Sequence, residues 1–94
     1  MTDTRTAIIR AGMDLWRKGS EADVTARRIG RLVGKTHAGV LYGFPGGAEA
    51  MRAAIARAAV MCGDPVIIPK LITAGHAAVA DMPAETRMRW LAGC

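Results

Sequence analysis

TARRIGRLVGKTHAGVLYGF, residues 25 to 44, decides the fold of this chain, because it reads as two short helices joined at a tight glycine turn. Thr25 is a good N-cap, since its hydroxyl can accept a hydrogen bond from a backbone N–H left unpaired at a helix start. Ile29, Leu32 and Val33 fall at i, i+3 and i+4 and predict a buried stripe, with Arg27, Arg28 and Arg31 on the other face. Gly34 stands where the helix must reverse, in left-handed backbone angles that glycine adopts cheaply, and Thr36 can cap the helix that follows. Val40, Leu41 and Phe44 supply the buried side of that second helix. His37, Ala38, Gly39 and Tyr42 are left facing outward, a small and mildly polar surface able to approach the floor of a DNA groove.

The flanking segments extend the helical pattern. Thr2, Asp3 and Thr4 are candidate caps for a first helix that carries Ile8, Gly12, Leu15 and Trp16 and ends near Lys18 and Gly19. Ser20 to Val24 is the connection. After Phe44, the run Pro45, Gly46, Gly47 stops the second motif helix, and a fourth helix runs from about Ala48 to Met61 with Met51, Ile55, Ala58 and Cys62 as its stripe. Its many alanines give it high helix propensity and a thin profile suited to close packing. Gly63 ends it. Asp64 and Pro65 form a cap and first turn, although Pro69 argues that regular helix starts only there, with Ile68, Ile72, Gly75 and Val79 repeating along it. Asp81 and Pro83 repeat the signature before a last helix to Leu91 that brings Met88 and Leu91 onto one side. No stretch alternates with period two, so the fold class is all-α, a small helical bundle. Residues 1–62 form the head and its connecting fourth helix. Residues 63–94 form a short extension, core or dimer interface, in the same compact unit.

Charge points to a polyanionic partner. The chain has 94 residues, with 13 Lys and Arg against 8 Asp and Glu, a formal charge of +5. The excess lies wholly before residue 63, and Arg17, Lys18, Arg27, Arg28, Arg31 and Lys35 centre it on the motif. A chain this short builds one modest core without a large ligand-binding cavity. Cys62 and Cys94 cannot complete a zinc site, even with His37 and His76, so Cys62 reads as a small buried thiol and no metal or cofactor is expected. Arg5 and Arg10 interrupt the first turns, so no signal peptide is expected and a cytoplasmic location follows by default. The apolar stretch Ala53 to Ala80 is broken by Arg57, Asp64, Pro65, Pro69 and Lys70, short of the ~20 apolar residues a membrane helix needs.

From Ile8 to Met51 the residues resemble the DNA-binding domain of the TetR family of transcriptional repressors. The likeness lies in Ile8, Ala11, Leu15 and Trp16, in Thr25-x-Arg27-x-Ile29, in Gly34-x-Thr36, and in the pairs Leu41-Tyr42 and Phe44-Pro45. The resemblance implies a three-helix head of the TetR and homeodomain type, with two or three further helices behind it. It also implies that the Thr36 helix enters the major groove and that a two-fold homodimer binds a near-palindromic site. Thr25 and Arg27 would then touch the phosphate backbone, Thr36, His37, Ala38 and Gly39 the bases and backbone at the start of the reading helix, and Tyr42 a phosphate. Either Leu41 or Tyr42 takes the family's tyrosine position, because the pair sits one residue farther from Gly34 than in the family. Gly47 stands where the family has a phosphate-gripping lysine. The long effector-binding domain of the family has no room after Cys62, so no small-molecule effector is expected.

Two functions compete on these grounds. The first is a sequence-specific double-stranded DNA binder, a repressor, with Arg27, Arg28, Arg31 and Lys35 neutralising phosphates and the Thr36 helix choosing the site. The alternative is a small basic helical module, of mobile-element type, that binds a protein partner. An enzyme is not expected: Asp14, Glu21, Asp23, Glu49 and Glu85 are scattered, Gly46-Gly47 lacks phosphate-loop partners, and His76 has no motif around it.

Overall fold

The computed structural model describes residues 3–93; Thr2, an expected cap, and Cys94 lie outside them. The described chain is all-helical: α1 (Thr4–Lys18), α2 (Ala26–Val33), α3 (His37–Leu41), α4 (Ala48–Cys62), α5 (Ile67–Thr73) and α6 (Ala84–Leu91), with 3-10 turns at Glu21–Asp23 and Ala77–Val79. α1 is the hub, packing on α2, α4 and α5, while α3 packs on α2 and α6 on α5. Ile8, Trp16, Val24, Ile29, Val40, Phe44, Met51, Ile55, Ile67 and Leu71 close one core. None of the described helices is long and apolar enough to cross a membrane.

The local signals at the motif act as expected. Thr25 Oγ1 accepts the Arg28 N–H at 3.2 Å and Thr36 Oγ1 accepts the Gly39 N–H at 3.0 Å, so both hydroxyls satisfy helix-start donors. Gly34 is left-handed, with φ 72° and ψ 36°. The turn is closed by the Gly30 carbonyl, which accepts from both Gly34 and Lys35. A side chain at Gly30 would run into the Lys35 carbonyl, so this glycine permits the close return of the chain.

Several expectations fail. Leu32 is 60% exposed, because the buried stripe of α2 is Ala26, Ile29 and Gly30, with Val33 at its edge. That stripe has proper helical spacing, but two of its members are too small to announce themselves by hydrophobicity. On α4, Cys62 is exposed and Ala59, with Ala54 and Ala56, takes the buried positions beside Met51 and Ile55. Left-handed Gly63 turns the chain back so that Asp64 N–H reaches the Ala59 carbonyl, and the core continues through Ile67 instead.

Pro69 does not delay α5. Asp64 Oδ1 accepts the Val66 and Ile67 N–H groups at 2.9 Å each, and Pro69 falls in the first turn, where an N–H has no helical partner to lose. The expected continuation to Val79 is also absent: α5 stops at Thr73 and Gly75 takes φ 66°. Asp81 makes no side-chain cap for α6. Met88 and Leu91 do share an outer side of α6, which buries no residue, so neither belongs to the core.

Residues 63–93 are nevertheless bound tightly to the head. Asp64 takes Arg17 Nε–H at 2.6 Å, and Arg17 also reaches Asp14 at 2.6 Å. Lys70 Nζ donates to the carbonyls of Trp16, Arg17 and Gly19 at 2.9, 2.9 and 2.7 Å, closing the carbonyl end of α1 with a cation. Burial by itself would raise the Asp64 carboxyl, but bonds from the Ile67 N–H, Arg17 and the Val66 N–H outweigh it and hold the group below its ordinary value.

Candidate nucleic-acid interface

Capping and turn geometry decide what α2 and α3 present. With Ala26, Ile29 and Gly30 turned inward, Arg27, Arg28 and Arg31 are exposed on α2, and Lys35 is exposed in the turn. Thr36, His37 and Ala38 are exposed at the start of α3, with Gly39 half-buried beside the Thr36 hydroxyl and Thr25 half-buried at the start of α2. The sequence-predicted residues therefore converge on the connected helices α2 and α3. α3 is short, five residues, so its first turn makes up most of the helix.

The arginines divide by partner. Arg28 Nη1 meets Asp23 Oδ1 at 2.8 Å, and Asp23 in turn takes the Ser20 N–H at 2.9 Å. The Ser20 backbone bond and then Arg28 hold the Asp23 carboxyl below its usual range. Arg28 is thus partly neutralised at rest, an exposed pair that a phosphate can displace at small cost. Arg27, Arg31 and Lys35 make no ion pair among the described residues. Arg17, counted with the basic cluster in the sequence, does not belong to it, because Asp14 and Asp64 occupy its guanidinium.

Tyr42 is 92% exposed at the end of α3 while Leu41 packs partly against the core, so Tyr42 is the member of the pair available to a ligand. Beside it, Arg5 stacks over the Phe44 ring at 4.5 Å and donates to the Gly43 carbonyl at 2.8 Å. Arg5 brings a cation from α1 to the end of α3, a placement that no local pattern in the sequence indicates. Arg52 is the other residue missed. It lies on α4, donates to the Val24 carbonyl at 3.4 Å, and lines a cleft with Thr25, Arg27 and His37. Its signal, a lone arginine among alanines, is ambiguous without the packing of α4 on the head.

Compared with models of known families, with curated proteins and with solved structures, the chain matches none.

Proposed function

We propose that this chain is a sequence-specific double-stranded DNA-binding regulator of transcription, a repressor in its simplest form, that places α3 in the major groove. The observation that carries the reading is the unpaired cationic surface of Arg27, Arg31 and Lys35 joined to the exposed first turn of α3. In this reading the phosphates fix position and supply affinity, Arg28 joins them by exchanging Asp23 for a phosphate, and Tyr42 holds the far side of the helix. Thr36, His37, Ala38 and Gly39, small and close to the backbone, approach the base edges. The resemblance of Ile8 to Met51 to TetR heads supports the same orientation. A homodimer on a near-palindromic site belongs to the proposal, with exposed Met88 and Leu91 of α6 as surface for a second copy.

Selection from a random duplex pool, with light scattering on the same sample, tests it. The expected result is a dimer and a two-fold symmetric consensus. An absence of sequence preference would refute it.

Exposed Leu32 and Tyr42 within the basic face favour one other reading, a module that docks on a protein. Apolar and aromatic side chains beside arginines suit a protein interface, whereas a phosphate backbone offers an exposed leucine little to pack against. That reading requires a stable 1:1 complex with a protein and no duplex preference.

A further inference from the structure

The cleft bounded by α2, α3 and α4 has a volume of about 280 Å³ and is lined by Thr25, Ala26, Arg27, His37, Ala48 and Arg52. Three of these six side chains carry nitrogen donors and none is acidic. At about 30 Å³ per water in the liquid, the space is ample for a phosphate group. Arg52, a lining residue, makes one long bond to the Val24 carbonyl, 3.4 Å, next to Thr25 in the chain, and this leaves other N–H groups of its five uncommitted. Arg27 makes no ion pair among the described residues. Two arginines with spare donors line this acid-free cleft, and guanidinium groups are the side chains best suited to tetrahedral oxyanions.

We infer that this cleft seats a phosphate, with Arg52 and Arg27 as its principal donors and His37 at its rim, and that the phosphate in question belongs to a DNA backbone. The identity of that occupant rests on the DNA-binding reading; the anion seat does not. The seat extends the interface beyond α2 and α3 onto α4, so the duplex is gripped by three helices and α4 is held in place when it binds.

The test uses the full chain, labelled with nitrogen-15 and titrated with inorganic phosphate at low salt. The expected result is saturable movement of the amide signals of Ala26, Arg27, Ala48 and Arg52 with a single dissociation constant. Arg52→Gln should weaken that constant by about tenfold, as loss of a charge-assisted hydrogen bond does, with Arg52→Lys between. Arg89→Gln, which removes an equal charge far along the chain on α6, should leave it unchanged. Equal weakening by Arg52→Gln and Arg89→Gln, or signal changes unrelated to the cleft, would overturn the seat. Thermal melts of the variants establish that each remains folded.

The second arm measures a 20-base-pair duplex across salt concentrations. Arg52→Gln should lower affinity and flatten the log–log slope by about one. If the wild-type chain binds duplex and the slope is unmoved by Arg52→Gln, the backbone phosphate as occupant is overturned while DNA binding stands. If phosphate binds through Arg52 and no duplex binds, the DNA reading falls and a free phosphate-bearing ligand takes its place.

Discussion

Asp64→Ala should loosen residues 63–93 from the head and destabilise the whole domain. The residue is 6% exposed, and its carboxylate accepts Arg17 Nε–H at 2.6 Å and the N–H groups of Val66 and Ile67 at 2.9 Å. Removing it deletes a cap, about 1 kcal/mol, and a bond to a charged group, about 1.5–3 kcal/mol. It also strands the Ile67 N–H at the edge of the core. The expected loss is about 3 kcal/mol, a large part of the roughly 5–15 kcal/mol that holds such a domain together. Asp64→Asn keeps an acceptor for the backbone N–H groups and gives up only the ionic part, so it should lose about half as much. Denaturant titration read by tryptophan fluorescence measures both, since Trp16 is buried and Trp90 half-buried.

The sign of the pH dependence follows from the lowered Asp64 carboxyl. Its contribution is fully present above the unfolded value, near 4, and is lost as pH falls through the lower folded value. The gap between wild type and Asp64→Asn should therefore shrink below about pH 4. A loss under about 1 kcal/mol in Asp64→Ala, or a gap that stays constant down to about pH 2, would refute this account of how the tail is fastened.

Other outcomes follow from the same contacts. Gly30→Ala should cost about 1–3 kcal/mol, because its new methyl meets the Lys35 carbonyl, whereas Gly43→Ala, with open space around it, should be near neutral by the same denaturation assay. Thr36→Ala should cost about 1 kcal/mol of stability through the lost cap on α3. Tyr42→Ala should leave the melting temperature unchanged, since the side chain is exposed, while weakening duplex binding measured by fluorescence anisotropy.

Much of the architecture is legible in single residues because its signals are local. Thr25, Thr36, Gly34 and Gly63 act through bonds or backbone angles within a few positions of themselves, and each sits where the helix boundaries require. Where packing decides, the sequence misleads. Leu32 has the hydrophobicity of a core residue, but α2 is covered along Ala26, Ile29 and Gly30, and small residues carry little signal although they bury well. Cys62 fits the period of α4, but the chain reverses at Gly63 before anything covers it.

The candidate interface shows the same division. Exposure of the α2 arginines and of the first turn of α3 follows from helical spacing alone. The Asp23 that pairs with Arg28 is only five positions away, whereas the Asp64 that takes Arg17, and the approach of Arg5 and Arg52, arise from tertiary contacts 28 to 47 positions apart in sequence. Lys70 illustrates the point from the other end of the chain. In the sequence it merely interrupts an apolar run, and in the fold it closes α1 with three bonds.

The central claim, that the face of α2 and α3 neutralises a duplex backbone, is tested most directly by the salt dependence of duplex affinity. Wild-type protein should give a log–log slope of about −4 to −5 per protomer, each neutralised phosphate contributing nearly one, and a combined Arg27→Gln, Arg31→Gln variant should flatten it by about two. A flat response in the wild-type protein, or a slope that the double variant leaves unchanged, would contradict the claim.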